Sequence, residues 1–163
     1  MTRPLSRPVP IDSSSPQPTS VSAPAEKASG SAETLLVVDD DPMIRDLVTQ
    51  ILLLKGYTVL QAQNAADALR LAGETETIHL LITDFSMPDI DGLELSRRFR
   101  AVHPKAPVLL VSGSLQLLRD EAHNLDRIHL LAKPFAFGEL LHKVRTLLDA
   151  SETLPIRKRW CCD

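Results

Sequence analysis

The sequence predicts an α/β protein in which five parallel strands form one sheet with helices on both faces. Five short runs of large apolar residues alternate along the chain with longer segments whose apolar residues recur at helical spacing. The runs are nearly continuous in apolar residues, which is typical of strands buried on both faces. Parallel strands need helical crossovers between them, and these are right-handed. The alternation therefore predicts a parallel sheet.

Length and composition agree with one globular domain. The 163 residues can bury a sizeable core, 44% of them are hydrophobic, and the formal net charge of -3 indicates no strong bias toward polyanions. The only two cysteines, Cys161 and Cys162, are adjacent, so no disulfide framework can be drawn. No apolar stretch is long enough to span a bilayer, and the N-terminus lacks the apolar core of a secretory signal. We expect a cytoplasmic protein.

The chain divides into three segments by composition. Residues 1–33 contain 8 Ser and 6 Pro and are expected to form a disordered tail or linker, because they offer little apolar surface to bury. Residues 34–149 carry the alternating pattern, and residues 150–163 are expected to be a solvated C-terminal tail. Only 14 residues follow Asp149, so no DNA-binding or catalytic output domain is expected.

The first strand and helix have clear boundary signals. The strand is predicted at 35–38, and Asp41 should cap a helix that has Pro42 at its first position. The buried stripe of this helix is predicted to comprise Ile44, Leu47, Val48, Ile51 and Leu52. Gly56 should end it as a C-terminal glycine cap.

The remaining elements follow the same alternation. Further strands are predicted at 58–62, 80–84, after Pro107, and at 128–132. Further helices are predicted at 65–72, at 92–102, within 115–123, and at 137–149. Asn64 and Gly73 should bound the second helix, and Leu95 and Phe99 should face the core from the third. The last helix should bury Leu140, Leu141, Val144, Leu147 and Leu148.

Polar side chains stand where four of the five apolar runs end. They are the acidic group Asp39-Asp40-Asp41, then Asp84, Ser112 and Lys133. The carboxyl ends of parallel strands meet at one edge of the sheet, which is where open α/β sheets bind ligands. We therefore expect these acids, the hydroxyl and the amine to converge.

With these residues in this order, segment 34–149 resembles the receiver domain of two-component response regulators. The resemblance implies the flavodoxin-like strand order 2-1-3-4-5. It also implies that Asp84 accepts a phosphoryl group and that Lys133, which usually precedes a cis peptide bond to proline in this family, contacts the phosphoryl oxygens. The Ser112 hydroxyl would hydrogen-bond the phosphoryl group after transfer, and Gly113 has no side chain to block that pocket.

Mg²⁺ suits such a site because it prefers oxygen ligands and binds one or two carboxylates together with phosphate. The candidate ligands are Asp39, Asp40, Asp84 and the backbone carbonyl of Ser86. Three acids packed together repel each other at pH 7 without a cation, so their crowding favours a metal. Neighbouring residues are given structural roles: Asp41 as a helix cap, Asp89 and Asp91 as loop acids, and Gly92 as a residue favoured for its backbone conformation.

The phosphoryl donor is expected to be a histidine kinase or histidine phosphotransfer protein, because nothing in this sequence resembles a donor histidine motif or a kinase ATP site. The output partner is expected to bind the face formed by the helix within 115–123, the strand at 128–132 and the helix at 137–149. The resemblance departs from the family on this face. The family commonly has Tyr or Phe three residues before the lysine, where this chain has Leu130, while His129 should point to the opposite face.

Two alternatives remain open from the residues alone. The acidic group superficially resembles the Asp-x-Asp motif of haloacid-dehalogenase-like phosphatases, with Asp39 as nucleophile and Asp41 as acid/base. Met43 and Ile44 occupy the region where those enzymes have a Thr. The other alternative is a receiver-like scaffold that is not phosphorylated. A receiver itself is expected to catalyse only its own phosphorylation and dephosphorylation.

Overall fold

A computed structural model describes residues 33–114 and 127–152. Its five strands are β1 (Thr34–Val38), β2 (Thr58–Ala62), β3 (Leu80–Asp84), β4 (Val108–Ser112) and β5 (Ile128–Ala132). The helices of the described residues are α1 (Pro42–Leu54), α2 (Ala65–Glu74), α3 (Gly92–Val102) and α4 (Phe137–Glu152). The helix predicted within 115–123 lies outside the described residues, as do most of the two predicted tails.

The five strands form one parallel sheet in the order β2-β1-β3-β4-β5. This confirms the predicted class and the predicted order. The pairing register aligns the strand ends: Val38 lies opposite Thr83, Asp84 opposite Val111, and Ser112 opposite Ala132. The residues that follow β1 and β5 therefore lie at the same edge of the sheet as Asp84 and Ser112.

Alternate residues of the strands pack into two layers, one on each face of the sheet. On one face Leu36 and Leu81 lie in a core with residues of α2 and α3, including Leu95 and Phe99 as predicted. On the other face Leu35 packs with residues of α1 and α4. The predicted core residues of α4 are buried except Leu141, which is partly buried. The central strands β3 and β4 are buried along their whole length, which explains their continuous apolar composition.

Local caps fix where the first two helices begin. The Asp41 carboxylate accepts hydrogen bonds from the backbone N–H groups of Met43 and Ile44, at 2.8 and 3.4 Å, ahead of α1. The Asn64 side chain accepts one from Asp67 N–H at 2.8 Å ahead of α2. Both caps were predicted. Gly56 has a φ of +88°, the left-handed conformation that a glycine cap after a helix requires.

Two sequence predictions about α1 and α2 were wrong. Gly73 does not close α2; it lies within the last turn, and the helix continues to Glu74 with the Thr75 N–H bonded to the Leu71 carbonyl. Glycine ends a helix only where the backbone turns left-handed, which it does not at this position. Leu47, predicted to be buried, is 43% exposed. The face that α1 buries includes the predicted Val48 and Leu52 together with Thr49, which points about 200° away from Leu47 around the helix.

The end of α4 is held close to the start of β1. The Arg145 guanidinium contacts the carboxylates of Glu33 at 3.4 Å and Asp149 at 2.5 Å, and the Glu33 carbonyl accepts a hydrogen bond from Thr58 N–H at 3.0 Å. The helix ends three residues beyond the predicted Asp149. Within the described residues, no helix combines the length and apolar character needed to cross a membrane.

Candidate functional site

The candidate site residues are brought together by the ends of β1, β3, β4 and β5. Backbone hydrogen bonds continue past the strand ends: Phe85 N–H donates to the Val111 carbonyl and Lys133 N–H donates to the Ser112 carbonyl, each at 2.8 Å. The sheet register thus extends into the loops that carry the acids and the lysine. Asp84 is the last residue of β3, and Asp39 directly follows β1.

Three carboxylates meet at this edge. One oxygen atom from each of Asp39, Asp40 and Asp84 lies within 4.8 Å of the other two. Asp39 and Asp84 are only 6% and 9% exposed, whereas Asp40 is exposed to solvent. Such a set of oxygen atoms, buried on one side and open on the other, fits a hard divalent cation that keeps several waters.

Lys133 places a positive charge beside the acids of the site. Its Nζ lies 3.1 Å from Asp84 Oδ1 and 3.5 Å from Asp39 Oδ2. The Lys133–Pro134 peptide bond is cis, as the resemblance implied. Burial by itself would lower the pKa of Lys133, but the hydrogen bond to Asp84 and the negative charges of Asp39 and Asp84 raise that pKa above its ordinary value. The amine is therefore protonated at neutral pH.

Asp39 is the most constrained acid of the site. Burial raises the pKa of its carboxyl above the ordinary value, and the charges of Asp84 and Asp40 add to this effect. The Asp41 N–H, which donates to Asp39 Oδ1 at 2.9 Å, and the Lys133 ammonium act in the opposite direction. Without a further cation, the ionised carboxylate of Asp39 is therefore less favourable in the folded protein than in water.

Ser112 ends β4 with its hydroxyl on the same edge. The residue is 3% exposed, and its Oγ accepts a hydrogen bond from Ser114 N–H at 3.1 Å. Accepting this bond uses a lone pair of Oγ and does not use the hydroxyl hydrogen. A Cβ built at Gly113 would meet no heavy atom within 4 Å, so this position faces open space.

In the loop between β3 and α3, the structure gives the predicted loop acid Asp91 a specific role and shows that the interpretation of Gly92 was wrong. Asp91 is the N-cap of α3, where its carboxylate accepts a hydrogen bond from Glu94 N–H at 2.8 Å. Gly92 has no left-handed backbone; a Cβ at this position would instead overlap the Asp84 carbonyl oxygen. The glycine is needed for space, because the start of α3 packs directly on the end of β3. Asp89 is exposed in the loop, as predicted.

Sequence reasoning missed two residues that hold the acids. Arg45 on α1 donates from Nη1 to the backbone carbonyl of Asp39 at 2.8 Å and lines the same cleft as Asp84 and Lys133. Thr83, fully buried on β3, donates from Oγ1 to the Asp84 carbonyl at 3.0 Å. Arg45 lies outside the apolar stripe predicted for α1. Its hydrogen bond to the Asp39 carbonyl joins residues six apart across a turn, so no local sequence pattern pointed to it.

Leu130 and His129 lie on opposite faces of β5, as the alternation predicted. Leu130 is half-buried and packs against the core beneath α2 and α3. His129 is also half-buried, and burial together with the positive charge of Lys143 on α4 lowers the pKa of its imidazole. An aliphatic side chain therefore occupies the position where the resemblance leads one to expect an aromatic ring.

The strand order and the polar side chains at the carboxyl ends of the strands together indicate a class of protein. The sequence matches the response regulator receiver domain family over residues 35–145, which is more than half of the chain. The chain belongs to this family. The Asp41 carboxylate has the structural role predicted for it, because its Oδ1 accepts two backbone N–H groups at the start of α1.

Particular relatives support the assignment. The response regulator MprA of Mycobacterium bovis is 33% identical over 131 residues, which cover 76% of this chain and 56% of MprA. The chain thus spans about half the length of the curated relatives it matches first.

Solved structures are also similar. A CheY-like receiver domain protein from Methanospirillum hungatei has 32% sequence identity and a TM-score of 0.67, with 75% of this chain and 98% of that chain covered. The response regulator TrrA of Thermotoga maritima, solved in complex with Mg²⁺ and BeF, has 32% identity and a TM-score of 0.62, with 71% and 98% covered.

Proposed function

We propose that this chain is a phosphoacceptor receiver that takes a phosphoryl group onto Asp84 from a histidine kinase or a histidine phosphotransfer protein. A carboxylate oxygen of Asp84 would form the new O–P bond while the P–N bond to the donor histidine breaks. The imidazole leaves with the bond's electron pair and is then protonated. Such transfer depends mainly on positioning and on stabilising negative charge.

One observation carries the proposal. The Lys133 ammonium lies 3.1 Å from Asp84, next to two further carboxylates and within the family to which the chain belongs. If Asp84 only capped a turn, or only formed an ion pair with Lys133, neither role would require three acids and a lysine at the ends of separate strands. In this reading Lys133 contacts the phosphoryl oxygens and holds the charge that develops during transfer.

Mg²⁺ is the proposed cofactor. Asp39, Asp40, Asp84 and the backbone carbonyl of Ser86 would hold it, and the related TrrA was solved with Mg²⁺ and BeF. When bound, the ion supplies positive charge to the phosphoryl oxygens and removes the repulsion between phosphoryl group and carboxylates. The raised pKa of Asp39 supports this role, because a buried carboxyl with two acidic neighbours gains from a cation.

Phosphorylation is proposed to change partner binding rather than to produce a released product. The Ser112 hydroxyl would donate to the phosphoryl group and shift the equilibrium between two states of the face that includes β5 and α4. An output partner would read that face. The chain would then act as a signalling receiver whose only catalysis is its own phosphorylation and dephosphorylation.

Incubation with Mg²⁺ and acetyl phosphate tests the acceptor. Intact-mass analysis should show one phosphoryl group that is stable to acid and labile to base, and peptide mapping should locate it at Asp84. Asp84→Asn should abolish the modification while the fold persists, because the amide keeps the shape and lacks the nucleophilic anion. Asp89→Asn, an exposed acid in the following loop, is the matched control and should be modified like the parent.

The same assay separates the alternatives. Release of inorganic phosphate without a stable adduct would support a phosphatase that uses Asp39. Neither adduct nor turnover, with acetyl phosphate or with a histidine-phosphorylated donor, would support a scaffold. Stoichiometric modification of the Asp84→Asn variant at another residue would refute the assignment of the acceptor.

A further inference from the structure

We propose that Arg45 is a positioning residue that fixes Asp39 for metal binding. The inference rests on the proposed function, because it concerns the Mg²⁺ site. The Arg45 guanidinium makes a contact that helix geometry does not require: it reaches back six residues from α1 to the Asp39 carbonyl, with Nη1 2.8 Å from the oxygen.

Asp39 needs this partner because β1 ends one residue earlier. The Asp39 N–H still donates to the Ala62 carbonyl of β2, at 3.4 Å, but the chain then leaves the sheet toward α1. Within the part of the chain that the structure describes, no backbone N–H donates to the Asp39 carbonyl, and the residue is only 6% exposed. Unpaired buried carbonyl groups are costly, so the guanidinium hydrogen bond stabilises this particular backbone geometry.

The side chain of Asp39 is held from the other side. Its Oδ1 accepts the Asp41 N–H at 2.9 Å, and its Oδ2 lies 3.5 Å from Lys133 Nζ. Arg45 and these two contacts together fix both the backbone and the carboxylate of one proposed ligand. Partners that hold a metal ligand without touching the metal commonly govern metal affinity.

Arg45 also brings a positive charge to the cleft that it lines with Asp84 and Lys133. The two possible roles of Arg45, positioning Asp39 and adding positive charge, have opposite effects on the affinity for Mg²⁺. If Arg45 acts only by its charge, removing it takes a cation away from a cation site and tightens Mg²⁺ binding. If Arg45 positions Asp39, removing it weakens Mg²⁺ binding despite the lower positive charge.

Isothermal titration of the full chain with Mg²⁺ measures the difference. Arg45→Met keeps the apolar stem and removes the guanidinium, and it should raise the Kd for Mg²⁺ about tenfold, the lower end of the effect seen for residues that support metal ligands. Arg45→Lys keeps the charge but lacks the planar fork, and it should also bind more weakly than the parent. Arg97→Met, an exposed arginine on α3 that pairs with Glu94, is the charge-matched control and should leave the Kd unchanged.

Thermal unfolding in EDTA shows whether each variant is folded before titration. A folded Arg45→Met variant with a Kd equal to or lower than that of the parent would overturn the positioning role and leave the metal site intact. Absence of Mg²⁺ binding by the parent would overturn the metal proposal, and this inference with it. If Arg45→Met is unfolded in EDTA, the Arg45→Lys titration decides in the same way.

Discussion

Gly92 packs so closely against Asp84 that a Cβ at position 92 would overlap the Asp84 carbonyl oxygen and crowd the Phe85 Cα. The backbone at the end of β3 therefore has its place defined by the first residue of α3. The Gly92 N–H also donates to the Phe85 carbonyl at 2.9 Å, which keeps the two segments together. Displacing either one displaces the proposed acceptor.

Gly92→Ala should accordingly lower the free energy of unfolding by about 1–3 kcal/mol, as overpacking of rigid backbone does, and should slow phosphorylation by acetyl phosphate. Gly73→Ala is the matched control, because a Cβ there meets nothing within 4 Å in a helical backbone. It should raise stability by up to about 1 kcal/mol. Urea unfolding measures both, and equal effects of the two substitutions would contradict the close-contact explanation.

The crowded acids predict an effect of Mg²⁺ on stability. Millimolar Mg²⁺ should raise the melting temperature of the parent, because a ligand that binds only the folded chain stabilises it. The double variant Asp39→Ala/Asp40→Ala should lose this shift and should melt at or above the parent in EDTA, since mutual repulsion is removed. Asp46→Ala/Asp89→Ala removes the same charge at exposed positions and should keep the shift. A Mg²⁺ shift that survives in the first variant would disprove the ligand assignment.

The raised pKa of Asp39 predicts how the metal-free protein responds to pH. Below the ordinary value of 3.8 the carboxyl is protonated in both the folded and the unfolded chain. As the pH rises through the raised folded pKa, the folded state must release a proton that it held more tightly, so the parent loses stability relative to a neutral analogue. Asp39→Asn should therefore melt higher than the parent at pH 7 in EDTA, and the difference should shrink as the pH falls toward 3.8. A difference independent of pH would exclude this origin.

Thr49 offers a stability prediction away from the site. Its Oγ1 is buried and has no hydrogen-bond partner among the described residues, and the side chain is 3% exposed. Thr49→Val has nearly the same shape and no hydroxyl, so it should raise the free energy of unfolding by about 1 kcal/mol. The comparison is Ser96→Ala, which removes a buried hydroxyl that does bond, to the Gly92 carbonyl at 2.5 Å, and should destabilise. Destabilisation by both would show that the Thr49 hydroxyl is satisfied.

Ser112 is predicted to couple the phosphoryl group to β5. Ser112→Ala should still be phosphorylated at Asp84 but should show smaller backbone amide shift changes across β5 and α4 when beryllofluoride and Mg²⁺ are added. Ser114→Ala keeps both the Ser114 N–H and the Ser112 hydroxyl that it contacts, and should respond like the parent. Leu130→Tyr should alter partner binding more than the phosphorylation rate. Equally large shift changes in the parent and in Ser112→Ala would remove the hydroxyl from the switch.

Much of this fold was predictable because its signals are local. Asp41, Pro42 and Asn64 act within three residues of their own positions. The nearly continuous apolar runs are explained by a sheet that is covered on both faces. The convergence of Asp39, Asp84 and Lys133 followed from parallel strands having aligned ends. These inferences needed no knowledge of how the helices pack.

The remaining features depend on contacts between elements. The space limit at Gly92 arises from how α3 meets the end of β3, and the Arg45 hydrogen bond from how α1 leaves β1. Leu47 has the residue type and spacing of a core position, yet it is 43% exposed, whereas Thr49, about 200° further around α1, is buried. Periodicity defines which residues share a helix face, but not how the helix is rotated against the sheet.

The guanidinium of Arg145 contacts both Glu33, at the start of the domain, and Asp149, in its last helical turn. The Arg145 side chain is 54% exposed, so solvent screens both ion pairs and each adds little stability. These contacts show that the two ends of the domain lie close enough together to be joined by a short linker. The receiver is thus suited to circular permutation, with new termini between Glu76 and Thr77 in the exposed α2–β3 loop. Reordering the chain in this way would leave β1, β3, β4 and β5 side by side and the carboxylate edge in place.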